Sequence, residues 1–121
     1  MESYVVYKKF VMFSDLNPGK KLYGGTMMSW VDEAAAIFAY EQLGREKHFV
    51  TLKISEVLFD RPAGLGDLLT FYAGLCNVGR TSFEVSISVR NRDLEIVSCE
   101  VTFVALDKNG KPVPHGLAMP K

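Results

Sequence analysis

Residues 24–44 read GGTMMSWVDEAAAIFAYEQLG, and this stretch decides the fold of the chain. No helix breaker interrupts residues 27–43, so the sequence predicts one long helix that ends at Gly44, the residue just past its last turn. The helix is apolar almost all round, which predicts that it is buried within the protein rather than lying on its surface. Its run of three alanines at 34–36 removes side-chain bulk, so a sheet can approach the helix backbone closely.

Segments typical of β-strands lie on both sides of this helix. They are rich in β-branched and aromatic residues, and they cover residues 4–13, 50–59, 67–76, 81–90 and 95–106. The fourth segment alternates apolar and polar residues, as expected for a half-buried antiparallel strand. Short turns between the last four segments imply antiparallel pairing. The sequence therefore predicts a single α+β domain over residues 1–121, with its core at about 4–114.

Composition and charge exclude several classes of protein. The 121 residues carry 14 basic and 14 acidic side chains, so no overall positive field favours nucleic acid as a partner. No apolar run approaches the ~20 residues of a membrane span, and the N-terminus does not resemble a signal peptide. Two cysteines, Cys76 and Cys99, are too few for a disulfide scaffold and are expected to be buried free thiols. We therefore expect a cytoplasmic protein.

The two histidines of the chain, His48 and His115, are far apart in the sequence. Neither is spaced from a cysteine or a carboxylate in the way that metal-binding motifs require. The sequence therefore predicts no metal site.

A carboxylate inside the apolar helix is the strongest candidate for chemistry. Asp32 follows Gly25 by seven residues, or two helical turns, so the two residues share a face. The free amides at a helix start favour a phosphate or an oxyanion, and Gly24 and Gly25 let a carbonyl come close to the backbone. A carboxylate nearby could attack that carbonyl or activate a water. The alternatives remain open, since such an Asp is often only solvated and a glycine pair is often only a tight turn.

Seven segments in order resemble bacterial YciA-type and related brain-type acyl-CoA thioesterases over about residues 10–114. They are DLNP at 15–18, LYGG at 22–25, MSWVD at 28–32 with AAA at 34–36, VLFDRP at 57–62, GD at 66–67, VGRTS at 78–82, and TFVALD at 102–107 with GKP at 110–112. The resemblance implies the hotdog fold, in which a five-stranded antiparallel sheet wraps one long central helix. It also implies an acyl-CoA substrate without a cofactor, and a homodimer with active sites at the interface. Members of this family commonly assemble further as a trimer of dimers.

The resemblance also assigns roles to catalytic residues. Asp32 corresponds to the catalytic carboxylate, either general base or nucleophile, and the helix start at Gly24 and Gly25 to the oxyanion donor. Asn17 corresponds to a residue that orients the thioester carbonyl or the water. The alternative role for Asn17 is purely structural, as an Asx-turn residue before Pro18.

The expected CoA-binding surface is the turn formed by Arg80, Thr81 and Ser82, with Arg61 and Lys108 as further phosphate contacts. The alternative for Arg80 is a solvated hairpin residue. Two rival functions stay open: a non-catalytic domain that binds or senses acyl-CoA, and a structural subunit of a larger assembly. The tail after residue 110 is shorter than in many relatives and is predicted to be irregular.

Overall fold

The computed structural model of the chain describes residues 3–44 and 47–117. Its elements are β1 (Tyr4–Phe10), a short 3-10 helix (Phe13–Asp15), α1 (Gly24–Leu43), β2 (His48–Phe59), β3 (Leu68–Val78), β4 (Ser82–Asn91) and β5 (Leu94–Leu106). The five strands form one sheet in the order β1-β3-β4-β5-β2, and every neighbouring pair is antiparallel. The predicted arrangement of one long helix and a five-stranded antiparallel sheet is confirmed.

The core lies between one face of the sheet and α1. Alternate residues of β3, β4 and β5 are buried there, as the period of two in their sequences requires. The small residues Ala34, Ala35 and Ala39 of α1 are fully buried, which lets the sheet approach the helix backbone. The opposite face of the sheet carries half-buried polar side chains, among them Glu84, Ser86, Ser88 and Arg90.

The sheet covers only one side of α1, and this differs from the prediction that the helix is buried. Six residues of α1 are buried, whereas Glu33, Ile37 and Tyr40 are exposed in the single chain. The physical reason is that five strands curve over one side of the helix and leave the other side uncovered. The described part of the chain contains no helix with the length and hydropathy that a membrane crossing requires.

The predicted end of β1 is wrong by three residues. β1 ends at Phe10 rather than residue 13, because its partner β3 begins only at Leu68, directly opposite Phe10. The Val11 amide still donates to the Asp67 carbonyl, and the chain then turns, with the Asp15 carboxylate accepting from the Met12 amide. The helix begins at Gly24, at the glycine pair where the sequence placed its start. Its end at Gly44 is confirmed: this residue has a φ of +89°, a conformation that favours glycine.

The tail after β5 folds back onto the sheet. The predicted turn at residues 107–110 forms, with the Gly110 amide donating to the Asp107 carbonyl at 3.0 Å. Residues 111–117 form no regular strand, and the Val113 amide donates to the Ala105 carbonyl. His115 is buried, with its Nε2 atom 3.0 Å from the Ser82 carbonyl oxygen. The remainder of the predicted irregular tail, residues 118–121, lies outside the described residues.

Candidate active site

The Asp32 carboxylate is held against the edge strand β2. The Thr51 hydroxyl donates a hydrogen bond of 2.9 Å to Oδ1 of Asp32. Asp32 is half-buried, and across residues 3–44 and 47–117 its second oxygen, Oδ2, has no hydrogen-bond partner. One carboxylate oxygen is therefore fixed while the other is free to meet a ligand.

The position of Asp32 follows from the way β2 flanks α1. At one end of the contact Gly24 lies beside the Phe59 ring, and at the other the rings of Tyr40 and Phe49 meet at 4.9 Å. The helix and the strand therefore run in opposite directions, with Asp32 between these two contacts.

The neighbouring carboxylate, Glu33, lies on the other side of the helix, toward β1. Burial and the charge of Glu33 raise the pKa of the Tyr7 phenol, whose hydroxyl donates to the Trp30 carbonyl at 2.6 Å. The Lys9 ammonium lies over the Tyr7 and Trp30 rings, at 5.6 and 5.2 Å from their centroids. The structure therefore separates the two acids of the sequence: Asp32 lies beside β2 and Glu33 beside β1.

The start of α1 leaves backbone amides available. The first amide of the helical hydrogen-bond ladder is that of Met27, which donates to the carbonyl of the N-cap residue Tyr23. No side chain caps the amides before it. A Cβ placed on Gly25 would meet nothing within 4 Å, so the backbone there opens onto free space. Such amides are suited to an anion or an oxyanion.

Gly25 and Asp32 share a helix face but are too far apart to act together within one chain. Seven residues of helix correspond to about 10 Å along the axis. A general base must come within about 3 Å of the group it serves, or one water further. A single thioester carbonyl therefore cannot contact the Gly25 amide and the Asp32 carboxylate of the same chain.

Asn17 stabilises the loop before α1. The side-chain Oδ1 atom of Asn17 accepts from the Lys21 backbone amide at 3.1 Å. The backbone amide of Asn17 donates to the Lys21 carbonyl at 2.7 Å. This is the turn role that the sequence left open as the alternative to a catalytic one. The side-chain NH₂ group of Asn17 has no acceptor among the residues that the structure describes, so it could still donate to a ligand.

The residues predicted to bind CoA fall at two ends of the sheet. Arg80, Thr81 and Ser82 form the turn into β4, and the Thr81 carbonyl accepts from the Ala105 amide at 2.9 Å. Lys108 lies in the turn just after β5, so it shares this end of the sheet with Arg80.

Arg61 lies at the other end. Its Nη1 atom donates to the Glu95 carbonyl at 2.8 Å, near the start of β5. Ten residues of strand separate Glu95 from Ala105, or about 33 Å. Within one chain, the structure therefore brings Arg80 and Lys108 to the same end of the sheet and separates Arg61 from both.

Sequence reasoning missed Thr51. A threonine in a strand is ordinary, and Thr51 is 19 residues from Asp32 in the chain. The only signal is spatial, since β2 must lie along α1 before the two side chains meet.

Comparison with known proteins identifies the family. A sequence profile described as the thioesterase superfamily matches residues 19–98. An uncharacterized acyl-CoA thioester hydrolase of Bacillus subtilis is 36% identical over 126 residues, which cover 99% of this chain and 72% of the relative. The acyl-CoA thioester hydrolase YciA of Salmonella typhimurium is 30% identical over 120 residues, which cover 91% of this chain and 88% of the relative.

Solved structures agree with these relatives. A hexameric thioesterase from Yersinia pestis superposes with a TM-score of 0.84 at 27% identity, covering 94% of this chain and 96% of that chain. A hexameric hotdog fold thioesterase of Campylobacter jejuni superposes with a TM-score of 0.78 at 31% identity, covering 91% of this chain and 88% of that chain. An acyl-CoA hydrolase from Staphylococcus aureus superposes with a TM-score of 0.82 at 33% identity, covering 93% of this chain and 68% of that chain. It was solved in complex with butyryl coenzyme A and coenzyme A. That hydrolase has also been solved with one threonine, and separately one aspartate, replaced by alanine. The present chain belongs to the thioesterase superfamily and has the hotdog fold.

Proposed function

We propose that this protein hydrolyses acyl-CoA thioesters to free CoA and a carboxylic acid, with Asp32 as general base or nucleophile. The observation that carries the proposal is the Asp32 carboxylate, half-buried on α1 and fixed through one oxygen by Thr51. The relatives supply the substrate class, since they are named as acyl-CoA thioester hydrolases. A carboxylate and a water suffice for thioester hydrolysis, so the reaction needs no cofactor.

The free Oδ2 atom of Asp32 suits either role. As a general base it takes a proton from water while the oxygen of that water bonds to the thioester carbon; as a nucleophile it bonds to that carbon itself. Either step puts negative charge on the carbonyl oxygen, which a helix-start amide such as that of Gly25 stabilises. Collapse of the intermediate expels the CoA thiolate. In the nucleophilic route, water then hydrolyses the acyl-aspartate.

Two copies of the chain form each active site in this proposal. The separation of about 10 Å between Gly25 and Asp32 along one helix argues that a second chain supplies the oxyanion donor. The edge strand β2 offers an interface, because it exposes Val50 and Leu52 on either side of Thr51, and Leu58 further along. The uncovered side of α1 supports the same assembly. We extend the proposal to a trimer of dimers, since similar thioesterases are hexameric.

The same assembly accounts for the separated CoA residues. We infer that Arg80, Thr81, Ser82 and Lys108 of one chain bind the nucleotide phosphates. Arg61 contributes from the other chain, because about 33 Å of strand separates it from Arg80 within one chain. We also propose that the hotdog domain spans residues 4–114 and that the enzyme is cytoplasmic.

Release of free thiol from a panel of acyl-CoAs, short to long, tests the function. Turnover of at least one member by the wild-type chain is the expected result. Saturable binding without thiol release would instead identify a non-catalytic domain that binds acyl-CoA. Neither binding nor release across the panel would contradict both functions.

Replacing Thr51 by valine is expected to lower kcat about tenfold. Valine keeps the shape but removes a hydrogen bond to a charged group, worth about 1.5 kcal/mol. Steady-state kinetics should show KM nearly unchanged, since Thr51 positions Asp32 rather than touching substrate. Thr51→Ser, which keeps the hydroxyl, should recover most of the rate. Equal losses in the valine and serine variants would argue against a positioning role.

Replacing Leu52 by aspartate is expected to convert the dimer to monomers and to abolish turnover. Leu52 is 60% exposed on the edge strand, and a charge there opposes burial against a second copy. Sedimentation velocity measures the assembly, and thiol release measures the activity. Leu94→Asp is the matched control, because Leu94 is similarly exposed at the start of β5, which is not an edge strand. An active monomer of the Leu52 variant would contradict the shared site.

A further inference from the structure

Three side chains on the outer face of the sheet, away from α1, form a cluster of metal-ligating groups. The Cys76 thiol and the carboxylates of Glu84 and Glu100 lie within 4.8 Å of one another, and all three residues are half-buried. The Cys76 Sγ atom lies 3.9 Å from Oε2 of Glu84. They come from three adjacent strands, β3, β4 and β5, and a register shift after Leu75 brings Cys76 beside Glu84.

A fourth side chain, that of Thr102, is an independent indication that the cluster binds a ligand. It is only 7% exposed, and its hydroxyl is the one buried side-chain oxygen or nitrogen without a hydrogen-bond partner in the described ranges. Thr102 stands directly opposite Glu84 in the β4–β5 register and two residues after Glu100. Both relations place its side chain on the same face as the cluster and in contact range of Glu84. Buried hydroxyls almost always have a partner, so this one indicates a missing polar group.

The two carboxylates of the cluster are unpaired. No lysine or arginine forms an ion pair with Glu84 or Glu100 in the described part of the chain, although Lys53 stands opposite Thr102 in the β2–β5 register. Arg90, on the same face, is already bound by the Ser88 hydroxyl and the Asp93 carbonyl. The site therefore has a negative potential that a cation would relieve.

We propose that Cys76, Glu84 and Glu100 bind a Zn²⁺ ion, with the Thr102 hydroxyl hydrogen-bonded to a water that completes the tetrahedral coordination. Zn²⁺ accepts thiolate and carboxylate ligands together, whereas Mg²⁺ and Ca²⁺ prefer oxygen alone. On binding, the S–H bond of Cys76 breaks, its proton passes to solvent, and the sulfur coordinates the metal. The ion ties together three strands on the face opposite α1, so its role is structural and separate from the chemistry at Asp32.

Cobalt titration of the metal-free, full-length protein tests the site. We expect one Co²⁺ per chain with a thiolate-to-cobalt charge-transfer band in the near ultraviolet, and displacement of that band by Zn²⁺. Cys76→Ser should remove the band. Cys99→Ser is the matched control and should keep it, because Cys99 is the only other cysteine and its side chain lies in the core. Glu84→Gln should weaken Co²⁺ binding at least about tenfold, and Thr102→Val by a similar factor.

The absence of the band at equimolar Co²⁺ would overturn the proposal. An unchanged band in Cys76→Ser would do the same, because the thiolate would then be elsewhere. If Cys76→Ser does not fold, Glu84→Gln and Glu100→Gln decide the question, and unaltered Co²⁺ affinity in both would count against the site. None of these readouts depends on hydrolysis, so their outcome is separate from that of the proposed activity.

Discussion

Replacing Asp32 by asparagine is expected to lower kcat for acyl-CoA hydrolysis by at least about 100-fold, with KM changed little. Asparagine keeps the size of the side chain, and its Oδ1 can still accept the hydrogen bond from Thr51. Its amide, however, can neither take a proton from water nor attack a thioester carbonyl. Thiol release by wild type and variant, at saturating and limiting acyl-CoA, separates kcat from KM.

Glu33→Gln is the matched control for this loss. Glu33 is the next carboxylate along α1, but it is exposed and lies toward β1 rather than β2. The control should keep the wild-type rate, and both variants should keep the wild-type circular dichroism and oligomeric state. Hydrolysis that survives in the Asp32 variant would move the catalytic centre elsewhere while keeping the enzyme. A rate loss in Glu33→Gln as large as that in Asp32→Asn would show that the two acids were assigned wrongly.

The elements of the fold could be predicted because each carries its own periodic signal. The alternation of apolar and polar residues from Phe83 to Val89 identifies β4 without reference to the rest of the chain. The breaker-free run before Gly44 identifies α1 in the same way. The boundaries depend on contacts from elsewhere in the chain. Residues 11–13 look like strand, but the strand that pairs with β1 begins only at Leu68, opposite Phe10 and more than 50 residues later in the chain. Local sequence could not reveal that contact.

The candidate site divides in the same way. Asp32 could be predicted because a carboxylate is out of place in an apolar helix. Thr51 could not, because its importance arises only when β2 lies along α1. The separation of Arg61 from Arg80 could not be predicted either, because it depends on which end of β5 each residue contacts.

One wrong prediction about the helix is itself informative. An apolar helix was expected to be buried, yet Ile37 and Tyr40 are exposed in the single chain. Sequence hydropathy reflects the whole environment of a side chain, including other copies of the protein. In the proposed assembly, a second chain covers this side of α1 and also brings an oxyanion donor to Asp32.

Replacing Phe103 by alanine is expected to lower the free energy of unfolding by about 3–5 kcal/mol per chain, the usual cost of removing a fully buried phenylalanine. Phe103 has no exposed surface, and its ring lies 5.1 Å from that of Phe49 and 5.4 Å from that of Phe83. Denaturant unfolding at a fixed chain concentration measures the loss, since dissociation of an oligomer makes apparent stability depend on concentration. Phe13→Ala, at a 77% exposed position, is the control and should change stability by less than about 0.5 kcal/mol.

The same substitution also separates packing from chemistry. Phe103 stands opposite Thr51 in the β2–β5 register, so the cavity forms under the strand that holds the Asp32 partner. Below the unfolding transition, the Phe103 variant should lose far less activity than Asp32→Asn, because the carboxylate and the Thr51 hydroxyl both remain. A loss of stability below about 1 kcal/mol would mean that Phe49 and Phe83 collapse into the space. A loss of activity equal to that of Asp32→Asn, with stability intact, would mean that the register of β2 matters to catalysis more than the carboxylate alone.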